Sequence, residues 1–313
     1  TRNITYGNRC TAGSMWNNYL PNPHFVESFE TATGEKFNWD NYLPGYSAMK
    51  EKERVVFFLR DGLSAAEKER MAAYGADMSK YLDSGNEARI KKAYESRDPR
   101  LQMAVITPYA QYNGASSGIA HTYTLRWPYR GSDSAEPFDI RTDTNDKFYY
   151  LWRKFVPEGL EQTERDTYGL DIPLIRYAEV LLLKAEALNE WGSTHESEAI
   201  RCVNEVRRRA GHVELNNATY PATKVNGQSD LRERIRNEYY WEIGGEDSMY
   251  FHELRWGTWK DKKFDNNRNG LMQMWGETTY TWYWLGDQCW SWPIPAKEME
   301  MNSNLEQNEG WIN

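Results

Sequence analysis

The stretch Asp171-Ile172-Pro173-Leu174-Ile175-Arg176-Tyr177-Ala178-Glu179-Val180-Leu181-Leu182-Leu183-Lys184-Ala185-Glu186-Ala187-Leu188-Asn189-Glu190-Trp191-Gly192 decides the fold class. Ala, Leu, Glu and Lys fill it, and all are strong helix formers. Asp171 is a good N-cap, Pro173 stands in a first turn where its missing N–H costs no hydrogen bond, and Gly192 is a natural stop. The pattern predicts one helix from Ile172 to Trp191. A second helix is predicted directly behind it, from about Thr194 to Ala210. Ser193 and Glu196 have capping-box spacing, Ala199, Val203, Val206 and Ala210 form an apolar stripe, and Gly211 suits the C′ position. Two helices joined by a Gly-Ser turn make an αα-hairpin of the TPR-like kind.

Further along, a third helix starts near Ser229 or Asp230, carries Leu231, Ile235 and Trp241, and ends at Gly244-Gly245. A short fourth covers Ser248 to Leu254. Upstream, residues 1–50 read as loops punctuated by Pro and Gly, with a short helical segment at His24 to Glu30. Ser64 to Tyr94 reads as helical behind a Ser64/Glu67 capping box. Leu101 to Thr107 and Phe148 to Val156 are strand candidates. After Gly257, Tyr280, Trp282 and Trp284 alternate with Thr281, Tyr283 and Leu285 at strand period. The fold class is therefore mainly α: a TPR-like hairpin packed with long irregular loops and a few short strands. The expectation is one unit over 1–313, with a loop-rich part (1–170), a helical part (171–257) and a Trp-rich tail (258–313).

Composition narrows the function classes. The chain holds 313 residues with a net charge of −8 and 40% hydrophobic residues, and its mean hydropathy is −0.85. Ala178 to Leu188, its most apolar stretch, is broken by Glu179, Lys184 and Glu186 and falls short of a membrane span. The acidic balance argues against nucleic acid, since phosphate binding needs a basic face. Cys10, Cys202 and Cys289 are far apart and make neither a zinc pattern nor a disulfide framework. The chain begins at Thr1 without a basic or apolar leader, which reads as a piece of something longer or a processed form.

Catalytic motifs are weak. Gly114-Ala115-Ser116-Ser117-Gly118 satisfies G-x-S-x-G, but the elbow needs a strand before it and a helix after, and Ile119 to Trp127 looks extended. Asp265 to Gly270 matches half an EF-hand loop, yet its twelfth position is Gly276 rather than Glu. His24, His121, His195, His212 and His252 are scattered and read as isolated surface or capping residues. Arg207-Arg208-Arg209 complements a helix C-terminus. Glu238 and Glu242 share a helix face beside Arg232, Arg234 and Arg236 and read as salt-bridge partners rather than an acid/base pair. No cofactor and no metal is expected.

Aromatics carry the sharper signal: 14 Trp and 21 Tyr against 10 Phe. Trp and Tyr join an apolar face to a polar handle, which suits a sugar ring. Trp241, Trp256, Trp259, Trp275, Trp282, Trp284, Trp290 and Trp292 crowd the C-terminal region, and most are expected to pack irregular segments onto the helices. Tyr109, Tyr112, Trp127 and Tyr129 stand among Gln111, Asn113, Arg126 and Arg130. Tyr109, Tyr112, Asn113, Trp127 and Tyr129 are the candidate glycan contacts, because loops carry binding more often than helices.

Seven short segments, which follow one another along the chain, give a resemblance. Asp171 to Ala187, with its Pro-x-Ile-Arg-Tyr-Ala-Glu start, and Asn204-Glu205-Val206-Arg207-Arg208-Arg209-Ala210-Gly211 resemble the paired helices of the SusD/RagB family. Pro23 to Gly34 resembles its Phe-Glu segment, and Arg97-Asp98-Pro99-Arg100-Leu101 its Asp-Pro-Arg-Leu. Ile235-Arg236-Asn237-Glu238 with Leu254-Arg255-Trp256-Gly257 resembles its Ile-Arg-x-Glu and Leu-Arg-Arg-Trp-Gly. Pro293-Ile294-Pro295 through Trp311 resembles its closing segment. The family's usual Arg-rich stretch reads Glu238 to Met249 here, and His252 stands where Asp is common. The family's N-terminal half is absent, and Cys10 lacks lipobox neighbours.

The resemblance implies a surface-exposed, lipid-anchored outer-membrane protein. Such a protein captures glycan without catalysis for a SusC-like TonB-dependent transporter. Two rivals remain: a glycoside hydrolase, and a module that docks on the transporter without a sugar site of its own.

Overall fold

The computed structural model describes residues 5–11, 14–116, 118–130, 136–140, 147–160, 169, 171, 173–264 and 269–311. The αα-hairpin forms. The first helix spans Tyr177–Trp191 and buries Ala178, Leu181, Leu182, Ala185 and Leu188. It starts later than Asp171 and Pro173 suggest. Arg176 is the N-cap, extended at φ −105° and ψ 151°, and its guanidinium pairs with Glu242 at 2.8 Å. That long-range ion pair accounts for the late start, by holding Arg176 outside the helix. Ile172 lies outside the described residues.

The second helix spans Glu196–Arg209 and is preceded by a 3-10 turn, Ser193–His195. The 3-10 turn takes the place of the Ser193/Glu196 capping box: the Glu196 N–H bonds back to Ser193 O, and His195 caps without a side-chain bond. Ala199, Val203 and Val206 are buried as the stripe predicts, and Gly211 follows at φ +74°. The third helix, Gln228–Ile243, packs along the first. Asn189 and Gln228 exchange amide-to-carbonyl bonds at 3.2 and 2.7 Å where the two meet. The outer side of the first helix is apolar yet open: Tyr177, Val180, Leu183 and Trp191 are exposed, as are Leu174 and Ile175 just before it.

Short elements fill the N-terminal half. Pro23–Ser28 is a helix capped by Asn22. The Ser64/Glu67 capping box forms with both reciprocal bonds and starts Ala65–Tyr74. Gly75 at φ +115° ends that helix, so the helical run to Tyr94 is two helices, the second being Asn86–Glu95. Leu101 to Thr107 is not one strand. Asp98 caps Arg100 N, Pro99 occupies the first turn, and Pro99–Ala104 is helical, leaving Val105–Ile106 as the strand. That strand pairs antiparallel with Leu151–Trp152, all that forms of the 148–156 candidate.

Gln111–Ser116 and Ile119–Thr124 form an antiparallel hairpin, with Gln111 opposite Thr124 and Ser116 opposite Ile119. A strand therefore follows the G-x-S-x-G motif, where the elbow would need a helix. Gly114 has a packing role instead. A Cβ there would lie 2.2 Å from Cys10 O and 2.9 Å from the Tyr123 ring. Gly114→Ala must push backbone aside, and we expect a loss of about 1–3 kcal/mol in denaturant unfolding. A variant as stable as the parent would show that the Cys10 segment yields freely.

The chain divides into two compact units: Thr1–Gly245 with Met272–Glu277, and Glu246–Leu271 with Thr278–Asn313. Neither divide falls at 170 or 257. The cause lies in Met274 and Trp275, which are fully buried in the first unit's core. The Trp275 ring lies 5.9 Å from Phe58 and 6.2 Å from Trp127, and its indole N–H donates to Glu277 at 2.9 Å. Around it the core is aromatic: Trp39 meets Tyr94 edge-on at 5.9 Å, and the Tyr94 and Tyr150 hydroxyls share a 2.8 Å bond. Edge-on rings with satisfied hydroxyls are how Tyr and Trp enter a core.

Candidate functional site

The five residues singled out from the sequence do not form an open platform. Tyr109 is 4% exposed and donates its hydroxyl to Phe58 O at 2.6 Å. Tyr112 is 1% exposed and donates to Pro157 O at 2.8 Å. Burial pushes both phenols well above their ordinary pKa, so both remain neutral donors. Trp127 is 9% exposed and stacks on Phe148 at 5.8 Å. These three rings offer no face to a sugar. The hairpin's pleat explains Tyr112: Gln111 and Asn113 point outward, while Tyr112 and Gly114 point in. Polar neighbours at odd spacing marked the opposite face. Asn113 is exposed, with Oδ1 accepting from Thr122 at 3.3 Å, and Tyr129 is half-buried. Arg126 and Arg130 both grip Asp139, at 2.8 and 2.9 Å.

The carboxylates on the third helix belong to a buried ion-pair network. Glu238 accepts from Arg100 at 2.6 Å and from Arg207 at 2.9 Å. Glu242 accepts from Arg176 at 2.8 Å, Arg209 at 2.6 Å and Arg100 at 3.3 Å. Arg207 also reaches Glu30 at 2.7 Å, and Arg100 reaches Asp98 at 2.6 Å. His212 lies between Glu30 and Asp98, at 3.1 and 3.7 Å. The partners are not Arg232, Arg234 and Arg236, which pair with Glu190, Asp230 and Glu233. Arg207 is a buried tie rather than a dipole complement. His212 and His252 are buried rather than surface residues.

Glu30, Asp98 and Glu242 all titrate below the ordinary carboxylate range. Burial alone would raise them. His212 and Arg207 at Glu30, Arg100 at Asp98, and Arg176 and Arg100 at Glu242 outweigh it. A carboxyl whose folded pKa is depressed adds stability above its unfolded pKa and loses it as pH falls through the folded value. The thermal midpoint is therefore expected to stay level from pH 7 to about 5 and to fall below about pH 4. A midpoint still level at about pH 3 would contradict the network's role.

The second unit presents the open aromatics. Trp259 meets Phe264, Trp284 and Trp290 at 5.4, 5.4 and 6.2 Å, a small packed centre. Tyr280, Trp282, Tyr283 and Trp292 stand exposed on the same unit, Tyr283 at 76% and Trp292 at 75%. Amides pin the backbone of two of them, Trp282 and Trp292. Asn269 both donates to Trp282 O and accepts from Trp282 N, and Asn308 donates to Trp292 O at 2.6 Å. Strand structure covers Thr278–Tyr280 but not the alternating run to Leu285. Packing explains most of that cluster, Trp241, Trp259, Trp275 and Trp284 among them, as expected, while Trp282 and Trp292 keep open rings.

Among the described residues no group of three His, Cys, Asp or Glu is placed to hold a metal ion. Residues 265–268 of the half EF-hand lie outside them. No helix of the described residues is long and apolar enough to cross a membrane. Among the described residues Cys10, Cys202 and Cys289 form no disulfide.

A helical hairpin, short strands and long aromatic connections define a mainly helical fold class, and the comparisons specify it. The SusD family model matches residues 1–311, and the chain belongs to that family. A SusD-like protein, P38, of Formosa agariphila is 32% identical over 139 residues, which are 44% of this chain and 24% of the relative. The starch-binding protein SusD of Bacteroides thetaiotaomicron is 28% identical over 161 residues, 51% of this chain and 25% of the relative. Among solved structures, a SusD-like protein of Bacteroides fragilis superposes with TM-score 0.60 at 20% identity. It covers 98% of this chain and 50% of its own. A SusD-like carbohydrate-binding protein of the same species gives TM-score 0.50 at 22% identity, over 93% and 49%. The match thus spans about a quarter of the curated relatives and half of the solved chains.

Proposed function

We propose that this chain binds glycan without turning it over, at the outer cell surface, for delivery to a SusC-like TonB-dependent transporter. The observation that carries the reading is the set of open rings on the second unit, Tyr280, Trp282, Tyr283 and Trp292, with the Trp282 and Trp292 backbones pinned by amides. Flat apolar faces beside hydrogen-bonding groups suit a sugar's C–H face and hydroxyls together. Family membership and two relatives named for starch and carbohydrate binding support the same ligand class. Asn113 and Tyr129 are the members of the first unit's group that keep solvent access for a polar contact. Binding without turnover is favoured because Glu238 and Glu242 are held by arginines and are not offered as an acid/base pair. A lipid anchor on a longer chain completes the proposal. A glycan array, followed by incubation with the strongest ligand, tests it. Retention without released sugar is the expected result; no bound glycan, or released sugar, would overturn it.

A further inference from the structure

A cleft of about 400 Å³ opens in the first unit beside the ion-pair network. One wall is the chain around the helix Pro23–Ser28, with Glu30, Lys36 and Phe37; another is the helix Gln228–Ile243, with Glu233, Asn237 and Trp241. Its volume lies at the small end of the range for ligand sites.

The polar groups of this cleft are unequally used. Glu30 is 8% exposed, and its bonds from Arg207 and His212 both fall on Oε2, at 2.7 and 3.1 Å. Oε1 has no partner among the described residues, and Glu30 borders the cleft. Arg207 and His212 also fix the carboxylate's orientation, and its depressed pKa keeps it ionised at neutral pH. The Asn237 amide and the Lys36 ammonium line the same space with no partner among the described residues. The Trp241 indole N–H is taken by Ser28 Oγ at 3.2 Å, so Trp241 contributes apolar surface there, as does Phe37.

These groups specify a ligand. A carboxylate oxygen only accepts, an ammonium only donates, and an amide does both. A partner for all three carries several hydroxyls, each able to donate and accept. Apolar ring surface beside them favours a ligand with C–H faces. A metal ion is not the match, because the described residues place no three ligating side chains together. We infer that this cleft is a second saccharide site, which takes a mono- or disaccharide or a chain end with Glu30 and Asn237 as its hydrogen-bonding pair. The inference rests on the glycan reading above but concerns a different surface: a polar cavity rather than an open aromatic face.

The indole N–H signals separate the two. The full chain, labelled with ¹⁵N-Trp, is titrated with glucose, galactose, mannose, xylose, N-acetylglucosamine and maltose. Trp241 reports the cleft, while Trp282 and Trp292 report the second unit. The expected result is a saturable shift of Trp241 with at least one sugar, weakened at least tenfold in Asn237→Leu with an unchanged thermal midpoint. Lys36→Ala, at an exposed position, gives a second variant that keeps the fold and is expected to weaken the same shift. Movement of Trp282 and Trp292 with Trp241 still would overturn the cleft and leave the glycan reading standing. Movement of Trp241 alone would support the cleft and remove the aromatic face. Stillness of all three with every sugar would overturn the cleft, the glycan reading being decided by the array. A Trp241 shift indifferent to Asn237→Leu and to Lys36→Ala would also overturn the assignment.

Discussion

Glu238→Ala is expected to lower the unfolding free energy by about 3–5 kcal/mol, a fall on the order of 10 °C in thermal midpoint for a chain this long. Glu238 is fully buried and is the anion that Arg100 and Arg207 share, at 2.6 and 2.9 Å. Its removal leaves two buried guanidiniums facing a methyl group. Arg100 keeps Asp98 and Glu242, and Arg207 keeps Glu30, so neither cation is left without a partner. Each nevertheless loses a hydrogen-bonded charge at a fully buried position, and breaking a buried pair is costly for that reason. Glu238→Gln separates charge from shape. The amide can accept from one arginine but carries no charge, so its cost should fall between parent and Ala. Circular dichroism melts of the three proteins at pH 7 check the order. A Glu238→Ala midpoint within about 1 °C of the parent would mean that the network holds nothing together.

That network shows where a sequence stops informing. Helical periodicity places Glu238 and Glu242 on one face, and the structure keeps them there. Periodicity does not say what the face meets. The arginines nearest in sequence, Arg232, Arg234 and Arg236, project elsewhere, and the true partners arrive from Arg100, Arg176, Arg207 and Arg209 on other elements. Local signals with a local cause were legible: the Ser64/Glu67 capping box, the left-handed Gly211, the hairpin around Gly192. Signals overruled by distant contacts were not. Arg176 leaves the helix to meet Glu242, while the Ser193/Glu196 box gives way to a competing local 3-10 turn. Pro99 behind Asp98 was a helix start in plain view, masked by the β-branched Val105-Ile106-Thr107 run that follows it. Membership of the SusD family was legible because its motifs sit on these same buried positions, Arg100, Arg207 and Glu238 among them.

Three of the loop aromatics expected to meet a sugar are buried, and a pair of substitutions tests the open rings of the second unit instead. Trp282→Ala with Trp292→Ala is expected to weaken glycan binding at least tenfold. Truncating a Trp at the centre of a binding surface costs about 2 kcal/mol or more, and about 1.4 kcal/mol is a factor of ten. The fold should tolerate the change. Trp292 is 75% exposed, and both backbones are held by Asn269 and Asn308 rather than by the rings. Tyr109→Phe and Tyr112→Phe form the contrast. Each removes a buried hydroxyl bonded to a carbonyl, Phe58 O or Pro157 O. About 1 kcal/mol of stability should go with each, because an orphaned carbonyl replaces a satisfied one. Glycan affinity should not change, since neither ring reaches solvent. Isothermal titration with the strongest ligand from the array reads one effect and denaturant unfolding reads the other. Affinity lost in the Tyr variants and kept in the Trp variants would return the site to the first unit. Affinity kept in all four would leave the second unit's rings without a sugar and move the search to the cleft beside Glu30.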